Sequence, residues 1–306
     1  MNTSPSNPRF LSVGEALTDL IRTGPDTWLS RAGGAPWNVA RVMAAFGIPS
    51  AFAGGVSRDN FGADIAALSR QAGLDMRFMQ QHDKPSLLAI VHEVSPPKYY
   101  FIGTDSADLA FDAALLPPNW AGSIEWVHCG GISLARSPLR ERVIEMLETA
   151  KASGARVSFD PNFRNVMTPA YDATLVRVAR MSDVIKVSDE DLRGLFRTGD
   201  LDQALRELRT MNSQAAILLT RGEHGAELRV QGRRLREDSP RIAIVDTVGA
   251  GDASVGGLLY SLMSQPQADW SVHLRHAVAA GTAACLVAGA SPPSLASLER
   301  VMAGVQ

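Results

Sequence analysis

Chemistry concentrates late in this sequence, in the run from Asp246 to Gly257. Three small residues, Gly249–Ala250–Gly251, directly precede Asp252, and Val255, Leu258, Leu259, Leu262 and Met263 follow as a helix-like apolar run. Glycine lets a backbone turn sharply and approach a ligand closely. A turn that feeds a helix start presents unpaired N–H groups and the positive end of the helix dipole. The expectation is an anion site with a carboxylate beside it. One group would hold phosphate charge while Asp252 takes a proton from an alcohol.

A second stretch far upstream, Arg31 to Ala40, carries Gly33–Gly34 and then Asn38. The two glycines would let a ligand sit against bare backbone. Asn38 can donate and accept at once, as a sugar hydroxyl requires. The plainer alternative is a Gly-rich turn with Asn38 capping the helix that runs through Val39, Val42, Met43 and Phe46 to Gly47. Asp19 is either a sugar-hydroxyl acceptor or an ordinary surface carboxylate.

The elements that must hold these residues read as an α/β body. Phe10–Val13 and Ala51–Val56 are strands, and Asn60–Ala72 is a helix. From Ile124 strands and helices alternate: strands at Ile124–Cys129, Arg156–Phe159, Val184–Val187 and Ala215–Thr220, with helices at Ser137–Ala152, Tyr171–Met181, Ser188–Phe196 and Leu201–Met211. Ser271–Ala288 reads as a long final helix. Such alternation implies a mostly parallel sheet with helices on both faces, and ligands then gather at the carboxyl ends of the strands. Polar residues fall at those ends: Asp160–Arg164 with Arg164, Lys186 with Ser188–Asp191, and Thr220–Gly225. Each has a local alternative, such as a Ser188/Asp191 capping box or a hairpin at Gly222 and Gly225. The stretch from Met76 to Tyr100 lacks helical crossovers and is hairpin-like, split at Pro96–Pro97. With Leu17–Ser30 it reads as a small β-lid. The division is 1–16, 32–75 and 112–306 for the body, and 17–31 and 76–111 for the lid.

The 306 residues suffice for a sizeable core, and a net charge of −2 without a basic block argues against nucleic-acid binding. Cys129 and Cys285 lie in apolar surroundings and read as buried thiols in a reducing compartment. The polar tail from Met1 to Arg9 does not resemble a signal peptide, and no apolar run is long enough to span a bilayer. The expectation is a cytoplasmic protein with no membrane partner. There is no Gly-x4-Gly-Lys-Ser/Thr loop, no dinucleotide fingerprint, no His-Glu-x-x-His spacing and no Gly-x-Ser-x-Gly elbow. An anion cradle with an adjacent carboxylate and polar strand ends remains, which suits phosphoryl transfer.

Gly33–Gly34–Ala35–Pro36–Trp37–Asn38–Val39–Ala40 and Asp246–Thr247–Val248–Gly249–Ala250–Gly251–Asp252 together resemble the two signatures of the ribokinase-like (PfkB) carbohydrate kinases, in the right order. Gly14–Asp19, Asp160–Arg164 and Lys186–Glu190 further resemble its fructokinase branch. The resemblance implies a three-layer body with a β-lid and an ATP-dependent sugar kinase, with fructose the favoured acceptor. Asp252 would be the base, and Gly249, Ala250 and Gly251 the anion hole. Asp19, Gly33, Gly34, Asn38 and Arg164 would contact the sugar. Lys186, Ser188, Thr220, Gly222 and Gly225 would line the nucleotide site. Glu190 and Asp191 would hold Mg²⁺ through water, and Asp246 with carbonyls near Val248 and Gly289 a monovalent cation such as K⁺. The lid implies a homodimer. Ser254 and Val278 depart from the family's usual residues, and the lid lacks the arginine that often follows its aromatic run. The competing acceptors are 2-keto-3-deoxygluconate, another sugar or a nucleoside; a catalytically silent sugar-binding regulator is the reading from another class.

Overall fold

The computed structural model describes residues 7–94 and 97–304. The start of the polar tail, residues 1–6, and Pro96 lie outside them. In chain order the strands and helices are β1 (Phe10–Val13), β2 (Leu17–Arg22), β3 (Trp28–Gly33), α1 (Ala35–Ala45), β4 (Ser50–Ser57), α2 (Asn60–Gln71), β5 (Met79–His82), β6 (Leu88–Val94) and β7 (Pro97–Ile102). The alternating part follows: β8 (Trp126–Gly130), α3 (Leu139–Ala152), β9 (Arg156–Asp160), α4 (Asp172–Met181), β10 (Val184–Ser188), α5 (Asp189–Phe196), α6 (Leu201–Met211) and β11 (Ala216–Thr220). The chain finishes with β12 (Ala226–Val230), β13 (Arg233–Glu237), α7 (Ala250–Ser264), α8 (Trp270–Ala284) and α9 (Leu295–Met302).

Nine strands form one sheet in the order β13-β12-β11-β10-β9-β8-β1-β4-β5, parallel from β11 to β5, with β12 and β13 added antiparallel. The fold is therefore the expected α/β body with a mostly parallel sheet. Its strands are apolar on both faces, because helices cover both. Residues alternate between two cores: Val127, Ile185 and Ile217 pack with the side of α3 to α6, and Trp126, Val184 and Leu218 with the side of α1, α7 and α8. The sheet's order departs from chain order around β1, which lies between β4 and β8. From there the chain runs out to β4 on one side and to β9 beyond β8 on the other, and it is at the carboxyl ends of the strands, where the order reverses, that α/β proteins bind ligands.

Four strands, β3-β2-β6-β7, form a second sheet. One part of the expected lid belongs elsewhere. β5 pairs parallel with β4 as the edge of the large sheet, and Phe78 and Phe111 are buried in the body's core. The alternating run around Met79 looks the same in sequence whichever sheet it joins. The expected helix Ser271–Ala288 stops at Ala284: the Cys285 carbonyl accepts Val245 N–H at 2.9 Å, and the chain turns onward to Gly289 at φ +72°. The β12–β13 hairpin and α9 do not stand out in the sequence pattern; β13 is mostly arginine and glutamate, which hides its strand character. Cys129 is buried and Cys285 half-buried, both as free thiols.

Candidate active site

The loop before α7 sets the site. Gly249 takes the left-handed conformation, φ +80°, at the helix N-cap, and a Cβ there would come within 3.1 Å of Ala290 Cα. The first bond into the helix runs from Ala253 N–H to Gly249 O at 2.8 Å, and Ala250 N–H folds back to Thr247 O at 3.2 Å. The N–H groups of Gly251 and Asp252 precede that first bond and carry the positive end of the α7 dipole. Asp246 holds the loop from behind. Its carboxylate accepts Val248 N–H at 3.0 Å and Gly289 N–H at 2.8 Å.

Two cavities meet at this helix start. The first, of about 280 Å³, is lined by Asp19, Gly34, Asn38, Arg164, Lys186 and Asp252 among others. The second, of about 670 Å³, is lined by Thr220, Gly222, Gly225, Ala250, Ser254 and Val278 among others. Thr247 and Gly251 line both. Asp252 faces only the first and Ala250 only the second, so the α7 N-terminus lies between them. A group transferred from one cavity to the other would cross the N–H groups of that helix start.

Asp252 is 8% exposed. Burial pushes its carboxyl up to about 7, with Asp160 adding to the rise and Asn38, Lys186 and Arg164 opposing it. A carboxylate poised near neutrality is suited to take a proton. Asn38 Nδ2 donates to Asp252 Oδ2 at 2.8 Å, while Asn38 Oδ1 is buried without a partner in the wall of the first cavity. The helix is capped by Gly34, not Asn38. Pro36 suits the first turn of α1, where a missing N–H costs nothing. Gly34 has φ +112°, and a Cβ would fall 2.7 Å from the Glu15 carbonyl oxygen. At Gly33 a Cβ would meet Asp19 Oδ2 at 2.6 Å, so the bare backbone leaves room for that side chain. Burial raises Asp19 to about 6, against the pull of Arg164. The Arg164 guanidinium stacks over Tyr99 of β7 at 5.2 Å and bonds to Asn162 Oδ1 at 2.8 Å. It thereby bridges body and lid.

Several residues sit where the sequence did not put them. Lys186, expected at the nucleotide, lines the first cavity, 3.0 Å from Asp160 and 3.6 Å from Asp191. Burial alone would lower its pKa, but those carboxylates reverse the effect and hold it firmly charged. Asp191 is no outward metal ligand: its oxygens accept Phe163 N–H at 2.8 Å and Ser188 N–H at 2.7 Å, and Ser188 Oγ returns a cap to Asp191 N–H at 3.0 Å. Ser188 and Asp191 thus form a capping box that starts α5. Glu190, next to them, is exposed. Thr220, Gly222 and Gly225 lie together in the second cavity, and Gly225 (φ +75°) makes the β11–β12 turn, where a Cβ would strike the Glu237 carbonyl. No group of three or more His, Cys, Asp or Glu among the described residues could cage a metal. No helix among them is long and apolar enough to cross a membrane.

Glu15, Gly131 and Ile132, which carry no site expectation from the sequence, also line the first cavity. Glu15 is 2% exposed, and its carboxylate accepts Ile132 N–H at 3.1 Å, Ser133 N–H at 3.0 Å and the Ser133 hydroxyl. The signal was a glutamate within an otherwise apolar strand exit.

Residues 7–296 match the description of the pfkB family carbohydrate kinases. A fructokinase of Salmonella typhimurium is 32% identical over 84% of this chain and 85% of its own. Among solved structures, a fructokinase of Xylella fastidiosa with bound ATP superposes with a TM-score of 0.87 at 27% identity, covering 96% of this chain and 98% of that one. A double-mutant fructokinase of Vibrio cholerae O395 in a fructose-, ADP- and potassium-bound form superposes with a TM-score of 0.85 at 28% identity, covering 98% and 100%.

Proposed function

The chain belongs to the pfkB family of carbohydrate kinases and is an ATP-dependent sugar kinase; we propose that its acceptor is fructose, phosphorylated on a hydroxymethyl group. The observation that carries the reading is the α7 helix start between two cavities, with Asp252 turned into the smaller one. The sugar occupies the first cavity. Asn38 Oδ1 accepts from one of its hydroxyls, and Asp19 with Arg164 takes others. The nucleotide occupies the second cavity, its terminal phosphate toward Gly251. Asp252 removes the proton of the attacking hydroxyl, and the N–H groups of Gly251 and Asp252 stabilise charge on the transferring group. Asn38, bonded to Asp252, fixes the carboxylate's rotation, while Lys186 stays charged beneath Gly251 and adds a positive field.

Mg²⁺ supplies charge neutralisation at the nucleotide phosphates when bound. Glu190 is the carboxylate that would reach it through water, since Asp191 faces inward. Asp246, whose oxygens each accept one N–H, and the carbonyls of Val248 and Gly289 would take a monovalent cation. The outer face of the lid exposes Trp28 (46%), Tyr100 (52%) and Ile102 (50%), an apolar face that supports a homodimer through the lid. A coupled ADP-release assay across sugars and nucleosides, with and without K⁺, tests the reading. Fructose should give the highest kcat/KM. A clear preference for a nucleoside or a sugar acid overturns the acceptor.

A further inference from the structure

One ion pair outside the reacting groups, with its carboxylate buried and its arginine partly so, ties the lid to the cavity. Arg136 follows the 3-10 turn Gly131–Ala135 that leaves β8. Its guanidinium bonds to the Asp108 carboxylate and the Gly103 carbonyl, and to Ser106 Oγ at 2.9 Å. Asp108 is 1% exposed, and Ser106 Oγ bonds onward to Gly103 O at 3.0 Å. Gly103 is the residue on which β7 returns from the lid, two positions after Phe101 and four after Tyr99, both of which line the first cavity. A Cβ at Gly103 would lie 2.8 Å from Arg136 Nη2, so the arginine is fitted against bare backbone.

The other end of the same turn grips a second root of the lid. Glu15, between β1 and the lid strand β2, accepts the N–H groups of Ile132 and Ser133, and its own N–H donates to Ser133 Oγ at 2.8 Å. Gly131 at φ +62° leaves the space that the Glu15 carboxylate fills. Residues 131–136 therefore hold the lid where β2 leaves the body and where β7 rejoins it. Glu15, Gly131 and Ile132 of the second grip also form part of the wall of the first cavity.

We propose that Arg136 is a positioning residue that fixes the foot of β7, and through it the distance of Tyr99 and Phe101 from the acceptor. The proposal rests on the kinase reading for its kinetic consequence. The planar fork reaches a carboxylate and a carbonyl at once; a lysine ammonium can keep the charge beside Asp108 but cannot span both. Arg136→Lys should therefore fold, whereas Arg136→Ala would leave Asp108 buried and unpaired. A displacement remote from the chemistry is costly when it moves substrate contacts.

The experiment compares wild type, Arg136→Lys and Arg142→Lys. Arg142 bonds to the carbonyls of Leu109 and Phe111 on the body side of the same connection and serves as the control. In Arg136→Lys the KM for the acceptor should rise about tenfold, with the KM for ATP within about twofold of wild type. ADP release without acceptor should increase as water enters, and amide exchange over Tyr99–Ile102 should quicken. Arg142→Lys should change none of these. The proposal is overturned if exchange over β7 is unaltered in Arg136→Lys, or if both KM values move together or not at all. If wild type releases no ADP with any sugar, the kinase reading fails, and the exchange measurement still decides whether Arg136 holds the lid.

Discussion

Replacing Asp252 with asparagine should stop catalysis and stabilise the fold at once. The carboxyl is carried from its ordinary 3.8 to about 7 chiefly by burial. That gap is about three pH units, or about 4 kcal/mol at ~1.36 kcal/mol per unit, by which the charged form is disfavoured in the native state. The sign follows from proton binding. Below pH 3.8 both native and unfolded carboxyls are protonated, and the group costs nothing. As pH rises toward 7 the unfolded chain loses its proton while the native one keeps it, so stability falls; above 7 the full cost stands. An amide has the same shape, cannot ionise and can present its oxygen to Asn38 Nδ2. Asp252→Asn should therefore gain up to about 4 kcal/mol over wild type at pH 8 and under about 2 kcal/mol at pH 5, read by urea unfolding at each pH. Turnover should drop by about a thousandfold, within the range set by loss of a general base. Turnover above a tenth of wild type, or an unfolding difference that does not grow between pH 5 and pH 8, would refute the reasoning.

Three further outcomes follow from the geometry. Wild-type kcat/KM for the acceptor should fall on the acid side with a midpoint near 7, because Asp252 must be ionised to accept a proton; Asn38→Ala removes a bond that lowers that pKa, so the midpoint should move to higher pH and kcat should fall by about a hundredfold. Gly249→Ala forces a side chain into the left-handed region against Ala290, at a cost of about 1–2 kcal/mol at the site, and should lower kcat by about tenfold or more while moving the thermal midpoint by a few degrees. A sedimentation measurement should find a dimer, and a Trp28→Ser, Tyr100→Ser double variant should shift it to monomer; a monomeric wild type at working concentration sinks the lid interface.

The body was legible because its strands are short apolar runs and its helices carry capping residues and terminal glycines. Asp59 caps α2 at Gly62 N–H, 3.0 Å away, as a sequence rule expects. The exceptions have physical causes. β5 reads as lid because period-2 alternation does not say which sheet a strand joins. β13 is invisible because an edge strand with solvent on one side can be built from arginines whose charges gather on buried Glu227. α8 ends early because a tertiary bond, Val245 N–H to the Cys285 carbonyl, replaces the helix's next turn. The first and the last depend on residues far apart in sequence, whereas β13 pairs with its neighbour β12 and is hidden only by its charges.

The division of labour among carboxylates lay further from view, and it decides the chemistry. Asp160, Asp191, Asp252 and Glu15 are all buried acids. Asp160 faces Lys186 at 3.0 Å, and Asp191 is satisfied by two N–H donors with Lys186 at 3.6 Å. Glu15 is enclosed by donors of the Gly131–Ser133 turn and, like Asp252, is raised to about 7 by burial. Only Asp252 combines a raised pKa with one short side-chain bond, a cavity on its open side and unbonded N–H groups at its own helix start. Lys186 makes the arrangement coherent. Paired with Asp160 and Asp191, it is held charged, yet it lies beneath Gly251, where a Cβ would be 3.2 Å from its Nζ. The pairing leaves it fixed in place, and a fixed charge needs no reorganisation when a phosphoryl group passes above it. A Lys186→Met change should therefore lower kcat, and it should also raise the pKa of Asp252, since Lys186 is one of the groups holding that pKa down. An acid limb that shifts upward in Lys186→Met would tie the field of the lysine to the base, and an unshifted limb would separate them.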